Sequence, residues 1–209
     1  MPFITISRMY GSGGSEIADI AARLLGWTLY DNAIIDAIAE RSGLARSEVS
    51  EQEERVPSLV ERISGALALG TPEAMPPYPN GLATTTEEEI VAATKRVIDD
   101  AVQRGPAVIV GRGAQCLLAE RSDALHVLCY GPTPALITYA RDRRGIPAGE
   151  VEKKVRDMNR QREQYVRRHW NRHWLSPINY HLCLDTSWYG IDNAAAMIVD
   201  AARLKFGPA

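Results

Sequence analysis

Short apolar runs recur along this chain and alternate with stretches of helical periodicity. The apolar runs predict strands over residues 3–6, 27–30, 107–110, 124–130 and 180–185. Their nearly continuous hydrophobicity is typical of strands that are covered on both faces. Amphipathic patterns predict helices over residues 16–25, 32–42, 86–103, 114–119, 134–144, 150–168 and 191–206. This alternation indicates an α/β fold, a parallel sheet of about five strands with helices on both faces.

Two segments interrupt the alternation. Residues 47–85 have a charged start followed by glycine- and proline-rich sequence, which indicates an insert over one edge of the sheet. Residues 141–172 hold eleven of the 24 Lys and Arg residues and five acidic residues, a pattern that by itself is typical of a solvated helix face. The length of 209 residues suits one domain over residues 1–209, with the insert and this arginine-rich segment as parts of it.

Charge and composition exclude several function classes. With a formal net charge of −2, the chain gives no reason to expect a nucleic-acid partner. No run approaches the roughly 18 apolar residues of a membrane span, so we expect no membrane partner. The three cysteines, Cys116, Cys129 and Cys183, lie in apolar surroundings and resemble free thiols of a reducing compartment. We therefore expect a cytoplasmic protein.

The first predicted strand leads directly into a glycine-rich turn over residues 11–15, followed by a helix. Glycines let backbone N–H groups converge on an anion, and a helix N-terminus adds partial positive charge. The usual phosphate loop reads G-x-x-x-x-G-K-[ST]. In that frame Arg8 takes the place of the first glycine, Gly13 is the second glycine, Gly14 replaces the lysine and Ser15 is the hydroxyl residue. The sequence thus predicts a phosphate cradle without its lysine and with an arginine beside it, although a purely structural turn is an alternative.

Other polar residues follow the predicted strands. Asp31 comes after the second strand, and Arg112 stands between two glycines after the third. Ligands of parallel sheets bind beyond the carboxyl ends of the strands, so these side chains should meet at one edge. Arginine grips phosphate oxygens with two parallel bonds, and phosphoryl transfer depends mainly on alignment and positive charge. This edge is therefore a candidate polyphosphate site.

The chain resembles the cytidylate kinase-like family, a branch of the nucleoside monophosphate kinases within the P-loop fold. The resemblance is carried by residues 4–18, 25–31 and 108–112, by Asp157-x-x-Arg160 with Tyr165, and by residues 177–180 leading to 185–187. It implies a P-loop NTPase-type sheet and transfer of the γ-phosphate of ATP, with Mg²⁺, to a small-molecule phosphate acceptor. The implied acceptor is a nucleoside monophosphate, with CMP or dCMP as the default.

The resemblance also implies roles for individual residues. The ATP phosphates would be held by Gly11, Ser12, Gly13, Gly14 and Ser15, with the Ser15 hydroxyl as a magnesium ligand. Positive charge for the transfer would come from Arg112 and from residues 141–172, the counterpart of the family's arginine-rich lid, through Arg141, Arg143 or Arg144, and Arg160. Asp31, Arg112 and Asp157 would serve the acceptor side, and Asp185 and Thr186 the adenine. Because Asp31 and Asp185 each precede a predicted helix, helix capping is an alternative for both.

The missing lysine opens further hypotheses. Our first is that Arg8, which lies in the same loop and is always charged, replaces it as a catalytic cation. A second is a regulatory module that binds nucleotide without turnover. A third hypothesis, favoured by the altered acceptor region and the proline-rich insert, is a kinase for a non-nucleotide small molecule. Apolar residues of the insert could bury a homodimer face or pack on the sheet. His169 and His173 have a spacing that can hold zinc, but no third ligand accompanies them, so packing at a helix end is the simpler interpretation.

Overall fold

A computed structural model describes residues 1–31 and 87–207 of the chain. It contains a five-stranded, all-parallel sheet, which confirms the predicted fold class. The strands lie side by side in the order β2-β3-β1-β4-β5. Their bounds are β1 (Phe3–Arg8), β2 (Thr28–Tyr30), β3 (Ala107–Val110), β4 (Ala124–Tyr130) and β5 (Leu182–Asp185).

Seven α-helices in the described ranges connect and follow these strands. They are α1 (Gly14–Leu25), α2 (Glu87–Arg104), α3 (Ala114–Leu117), α4 (Thr133–Arg144), α5 (Ala148–Trp170), α6 (Thr186–Tyr189) and α7 (Ile191–Phe206). A 3₁₀ turn over Pro177–Asn179 precedes β5. The helix predicted over residues 32–42 and the insert over residues 47–85 lie outside the described residues.

Alternating side chains of the central strands build a core on each face of the sheet. Ile4 and Ile6 of β1 belong to one buried cluster, together with apolar residues of α1 and α7. Phe3 and Ile109 point to the other face and join a cluster with Ile98 of α2. Burial on both faces explains why these strands are continuously apolar in the sequence. Helices therefore cover both faces, as predicted.

Two strand ends differ from the prediction by two residues, and β2 starts one residue later than predicted, at Thr28. β1 continues two residues beyond Ile6, because Ser7 and Arg8 stay in register with β4, where Arg8 lies opposite Cys129. β5 starts at Leu182 rather than at residue 180, because Tyr180 ends the 3₁₀ turn. The first difference is relevant to function, since it places Arg8 at the carboxyl end of the central strand.

The predicted lid segment, residues 141–172, contains the end of α4 and the whole of α5. The start of α5 packs on α4 through Val151 and Val155, which share a buried cluster with Leu136 and with Tyr10 of the loop after β1. This arrangement brings the 23-residue helix against the loop that connects β1 to α1. Within the described ranges, every helix is too short or too polar to cross a membrane.

Candidate active site

The loop between β1 and α1 folds tightly on itself. The Ser12 hydroxyl donates to the Met9 carbonyl at 2.8 Å, and the Ser12 N–H donates to the same oxygen at 3.2 Å. Gly11 and Gly13 have φ angles of 88° and 69°, a region that side chains rarely adopt. A Cβ at Gly11 would lie 2.2 Å from the carbonyl oxygen of Leu136, so the loop is pressed against α4. Ser12 thus shapes the turn and is itself buried.

The N-terminus of α1 faces outward from this turn without a side-chain cap. Gly13 is the N-cap residue, and the Ile17 N–H makes the first helical bond, to the Gly13 carbonyl at 3.0 Å. The N–H groups of residues 14–16 have no carbonyl partner within the helix. Together with the helix dipole, such N–H groups form a binding site for a phosphate group.

A cavity of about 330 Å³, here called the loop pocket, opens over this helix end. Three of its lining residues are arginines, and one is a carboxylate, Glu16. Glu16 accepts a hydrogen bond from the Tyr139 hydroxyl at 2.6 Å and lies 3.8 Å from the Arg143 guanidinium. The excess positive charge favours an anionic ligand. The full lining is Arg8, Met9, Tyr10, Gly11, Gly13, Gly14, Ser15, Glu16, Tyr139, Arg143 and Arg162.

A second loop, Gly111-Arg112-Gly113, follows β3 and has an unusual backbone. All three residues have positive φ, and Arg112 at 55° is one of two non-glycine residues with positive φ in the described ranges. This conformation costs about 1–3 kcal/mol and persists only where the surroundings impose it. Here the Trp170 ring lies against the loop, since a Cβ at Gly113 would come within 2.3 Å of it. The geometry fixes the position of Arg112.

Arg112 is a partly buried cation. Burial, and then the nearby Arg8, lower the pKa of Arg112 to about 10. The guanidinium therefore remains protonated at neutral pH, although its charge is poorly compensated. An anionic ligand beside Arg112 would offset the repulsion between its guanidinium and that of Arg8.

A smaller cavity of about 170 Å³, here called the Arg112 pocket, lies beside this loop. Within the described part of the chain its lining contains three arginines and no carboxylate. The Gln161 side-chain oxygen is buried there without a hydrogen-bond partner among the described residues. Its lining residues are Ser7, Arg8, Gly111, Arg112, Gly113, Gln115, Met158, Gln161, Arg162, Tyr165, Val166 and Trp174.

The 3₁₀ turn before β5 supports one wall of the Arg112 pocket. The Tyr180 hydroxyl donates to the Trp174 carbonyl at 2.7 Å, and burial raises the pKa of Tyr180 above its usual value. Tyr180 therefore remains a neutral hydrogen-bond donor. This contact gives the 177–180 motif of the sequence a structural role beside the site.

Arg8 lines both pockets and lies between the two loops. A Cβ at Gly14 would lie 2.5 Å from the Cβ of Arg8, and a Cβ at Gly111 would lie 1.9 Å from Nη1 of Arg8. The guanidinium is 3.9 Å from the carboxylate of Asp31. The arginine side chain thus runs from the first loop to the second.

Arg162 of α5 is the other residue that lines both pockets. Its guanidinium donates to the Arg8 carbonyl, and its Cζ lies 5.9 Å from the centre of the Tyr10 ring. Asn159, one helical turn earlier, accepts a hydrogen bond from the Tyr10 N–H at 2.6 Å. These contacts attach α5 directly to the loop between β1 and α1.

The structure brings part of the predicted site together. Arg8, Gly11, Gly13, Gly14 and Ser15 line the loop pocket, and Arg112 lines the second pocket. Asp31 lines neither pocket but is close to Arg8.

The remaining predicted residues lie outside both linings. Arg141 is exposed beside Asp142, and Arg160 is exposed beside Asp157. Asp185 caps α6 by accepting from the Ser187 N–H at 3.0 Å, so the capping alternative is observed there. The Thr186 hydroxyl donates to the Tyr130 carbonyl at 3.2 Å. The ligand roles of these residues stay predictions.

The sequence reasoning did not single out Arg162, although a signal was present. Val151, Val155 and Val166 form the buried stripe of α5, and residue 162 continues that stripe at helical spacing. An arginine on the apolar face of a helix signals a buried charge with a specific partner. Glu16, Tyr139 and Asn159 were also missed, because their roles arise from contacts between distant parts of the chain.

Comparison with solved structures identifies the fold. An uncharacterized protein from Eubacterium ventriosum is similar to this chain, with a TM-score of 0.67 and 17% identity over 97% of this chain and 98% of that one. Shikimate kinase from Acinetobacter baumannii, solved with shikimate, has a TM-score of 0.51 and 16% identity over 96% and 92% of the two chains. Shikimate kinase from Bacteroides thetaiotaomicron has a TM-score of 0.53 and 11% identity over 96% and 97%. These likenesses show a P-loop kinase fold.

Sequence comparison then gives the family. The profile of the cytidylate kinase-like family matches residues 3–188, which is most of the chain. The protein therefore belongs to the cytidylate kinase-like family. No curated protein matches it.

Proposed function

We propose that this protein is an ATP-dependent phosphotransferase that transfers the γ-phosphate of ATP to a nucleoside monophosphate, with CMP or dCMP as the default acceptor. One observation carries this proposal. A pocket at the N-terminus of α1 and a second pocket, whose described lining residues include no carboxylate, share two arginines, Arg8 and Arg162. Such an arrangement suits a phosphate donor on one side and an anionic acceptor on the other.

The loop pocket has the features that a nucleoside triphosphate requires. The N–H groups at the start of α1 would hold the phosphates. In the turn before them, a Cβ at Gly11 or Gly13 would clash with neighbouring atoms, so the turn requires glycine at both positions. Ser15 lines the same pocket and would offer its hydroxyl to Mg²⁺. Bound Mg²⁺ would neutralise charge on the β- and γ-phosphates and align them for transfer.

The chemical step needs positive charge more than covalent help. An acceptor oxygen would attack the γ-phosphorus while the bond from the γ-phosphorus to the β-bridging oxygen breaks, which releases ADP. Arg8 and Arg162 line both pockets and Arg112 lines the second, and all three would stabilise the charge that develops on the transferring group. Roles for Arg141 and Arg160 in this step are predicted by family resemblance alone.

The proposal includes a setting for this activity. The cysteines Cys116, Cys129 and Cys183 are free, as expected in a reducing compartment, and we propose the cytoplasm. The apolar residues that suggest a homodimer belong to the insert, outside the described residues.

A non-nucleotide acceptor is the second candidate. The Arg112 pocket, at about 170 Å³, is small, and shikimate kinases share the fold. A compact hydroxy acid would offer its carboxylate to the same arginines that a phosphate would meet. The site chemistry is common to both acceptors, so the experiment must separate them.

The test is ADP release from Mg-ATP with each nucleoside monophosphate and with small hydroxy acids, shikimate included. Stimulation by a nucleoside monophosphate is expected, and Arg112→Ala should reduce the rate at least roughly 100-fold. Arg203→Ala, an exposed arginine at the end of α7, is the matched control and should match wild type. Stimulation only by a hydroxy acid would select the second candidate. Tight ATP binding with no turnover would instead favour a regulatory nucleotide-binding module.

A further inference from the structure

Gly14 stands where the usual phosphate loop has lysine, and its backbone does not require glycine. It is the first residue of α1 and does not have a positive φ. A side chain is excluded by space instead, since a Cβ there would lie 2.5 Å from Cβ and 3.1 Å from Cγ of Arg8. The Cβ cannot move away, because the backbone of Arg8 is held in register opposite Cys129 in the sheet. The Cβ of Cys129, at 3.3 Å, closes the site further.

The other end of Arg8 meets a second glycine. A Cβ at Gly111 would lie 1.9 Å from Nη1 and 3.0 Å from Cζ of Arg8. One glycine from each loop therefore frames the same side chain, Gly14 beside its stem and Gly111 beside its guanidinium. A lysine at position 8 would be shorter and would lack the planar group that fits between the loops.

We propose that Arg8 and Gly14 form one functional unit, in which the cation of the phosphate loop comes from the end of β1 and Gly14 leaves the space for it. The charge is thereby moved from the start of α1 to the junction of the two pockets. There it faces the phosphoryl group in transfer together with Arg112 and Arg162. Because it assigns a role in phosphoryl transfer, this inference rests on the proposed function.

The steric part predicts a specific coupling in stability. Gly14→Ala should lower the melting temperature by roughly 4–8 °C, because the added Cβ would overpack the space beside the fixed Cβ of Arg8. Most of that loss should disappear in an Arg8→Gly background and persist in an Arg8→Ala background, since alanine retains the obstructing Cβ. Gly105→Ala is the matched control, because a Cβ at Gly105 meets nothing within 4 Å. A Gly14→Ala variant that melts like wild type would overturn the proposal.

The catalytic part predicts a rescue. Arg8→Gly should slow ADP formation at least roughly 100-fold, as for other residues that stabilise developing charge. Arg8→Gly/Gly14→Lys should recover at least about tenfold of that loss. Arg8→Ala/Gly14→Lys should recover nothing, because its alanine Cβ still blocks position 14. If Arg8→Gly/Gly14→Lys forms ADP no faster than Arg8→Gly, a lysine at position 14 cannot take over the role of Arg8.

A binding measurement separates this inference from the proposed function. Calorimetry with Mg-ATP should show weaker binding by Arg8→Gly and restored binding by Arg8→Gly/Gly14→Lys. If the wild-type protein transfers phosphate to no acceptor, the proposed function is wrong. The affinity and melting data would still show whether Arg8 and Gly14 act as one unit. Equal Mg-ATP affinity of wild type, Arg8→Gly and Arg8→Gly/Gly14→Lys would show that a lysine at position 14 does not replace Arg8.

Discussion

Three arginines line the two pockets, Arg8 and Arg162 on both and Arg112 on the second, and each is held in a different way. Arg8 is framed by glycines, Arg112 is fixed by a left-handed backbone, and Arg162 is held by the Arg8 carbonyl and the Tyr10 ring. Arg8 lowers the pKa of Arg112, which shows that the cations repel one another. Holding like charges together stores unfavourable energy that an anionic ligand releases on binding.

Arg162 offers a residue-level test. Arg162→Ala should lower kcat roughly 100-fold to 1,000-fold, because one positioned donor near developing charge is lost. Arg162→Lys should recover only part of this loss, since an ammonium group cannot reproduce the planar guanidinium contacts. The measurement is steady-state ADP formation with the acceptor found in the screen.

The control for this prediction lies on the same helix. Arg156 is exposed and pairs with Glu152, away from both pockets, so Arg156→Ala should keep wild-type kcat and KM. Equal kcat for Arg162→Ala and Arg156→Ala would show that Arg162 has no part in the chemical step.

At the residue scale, the sequence predicted those candidate site residues that lie in or beside a glycine-rich turn. The loop from Gly11 to Ser15 and the flanked Arg112 were found because glycines mark backbone that approaches a ligand closely. Arg162 was missed because its importance depends on the docking of α5 onto a loop some 150 residues earlier.

Among the elements, α5 has the most direct influence on the site. Its first half packs on α4 and on Tyr10. Asn159 and Arg162, in its middle, form hydrogen bonds with the end of β1 and the loop that follows it. The helix is therefore a structural support of the loop as well as a wall of both pockets. Loosening α5 should disturb nucleotide binding even where no ligand contact is lost.

Asn159 tests this coupling between helix and loop. Asn159→Ala removes the side-chain oxygen to which the partly buried Tyr10 N–H donates, which should cost about 1–3 kcal/mol of folding free energy. For a chain of this size each kcal/mol corresponds to roughly 2–4 °C in melting temperature. We also expect weaker Mg-ADP binding, measured by calorimetry.

Asn159→Asp is the matched variant, because it keeps an acceptor oxygen at the same place. It should restore most of the stability and of the Mg-ADP affinity. Alanine and aspartate variants with the same affinity would show that the loop holds its shape without α5.

The elements themselves were largely predictable, because the strands are buried on both faces and read as apolar runs. Their ends were less so. β1 extends to Arg8 because pairing with β4 continues, and β5 starts late because Tyr180 is engaged with Trp174. Both outcomes depend on partners that are distant in the sequence.

At the scale of the whole molecule, the sheet carries a buried histidine, His126, that stacks on an exposed one, His181. Nδ1 of His126 in β4 lies 2.7 Å from the Thr5 hydroxyl of β1, and its ring stacks on His181 with centroids 5.0 Å apart. Burial, and then His181, lower the pKa of His126 to about 4, with a smaller contribution from Arg172. The folded protein therefore keeps this imidazole neutral.

This pair predicts acid sensitivity of the fold. An unfolded chain protonates His126 near its ordinary pKa of about 6.5, so the neutral form stabilises the fold fully above that pH. The contribution is lost as the pH falls from about 6.5 towards 4, and it amounts to about 3 kcal/mol at most. Urea unfolding of wild type and His126→Gln at pH 7 and pH 4.5 measures it.

The expected result is a smaller loss of stability on acidification in His126→Gln than in wild type. Carboxylates titrate in the same range in both proteins and cancel in the comparison. Identical pH dependence would mean that another group is responsible.

The parallel sheet and its helical layers followed from the alternation of patterns alone. The pockets did not, because they form where α5, the loop after β1 and the loop after β3 meet. A pattern along one segment carries no information about which distant segment will lie against it.

The framing of Arg8 by two glycines also constrains how such a site can change over generations. A change from Gly14 to lysine while Arg8 remains would create a clash before it offers any benefit. Only the opposite order, in which Arg8 is first replaced by glycine, avoids the collision with its Cβ, and it passes through a form without this cation. Descendants of this protein are therefore confined to the arginine arrangement unless selection on the activity relaxes for a time.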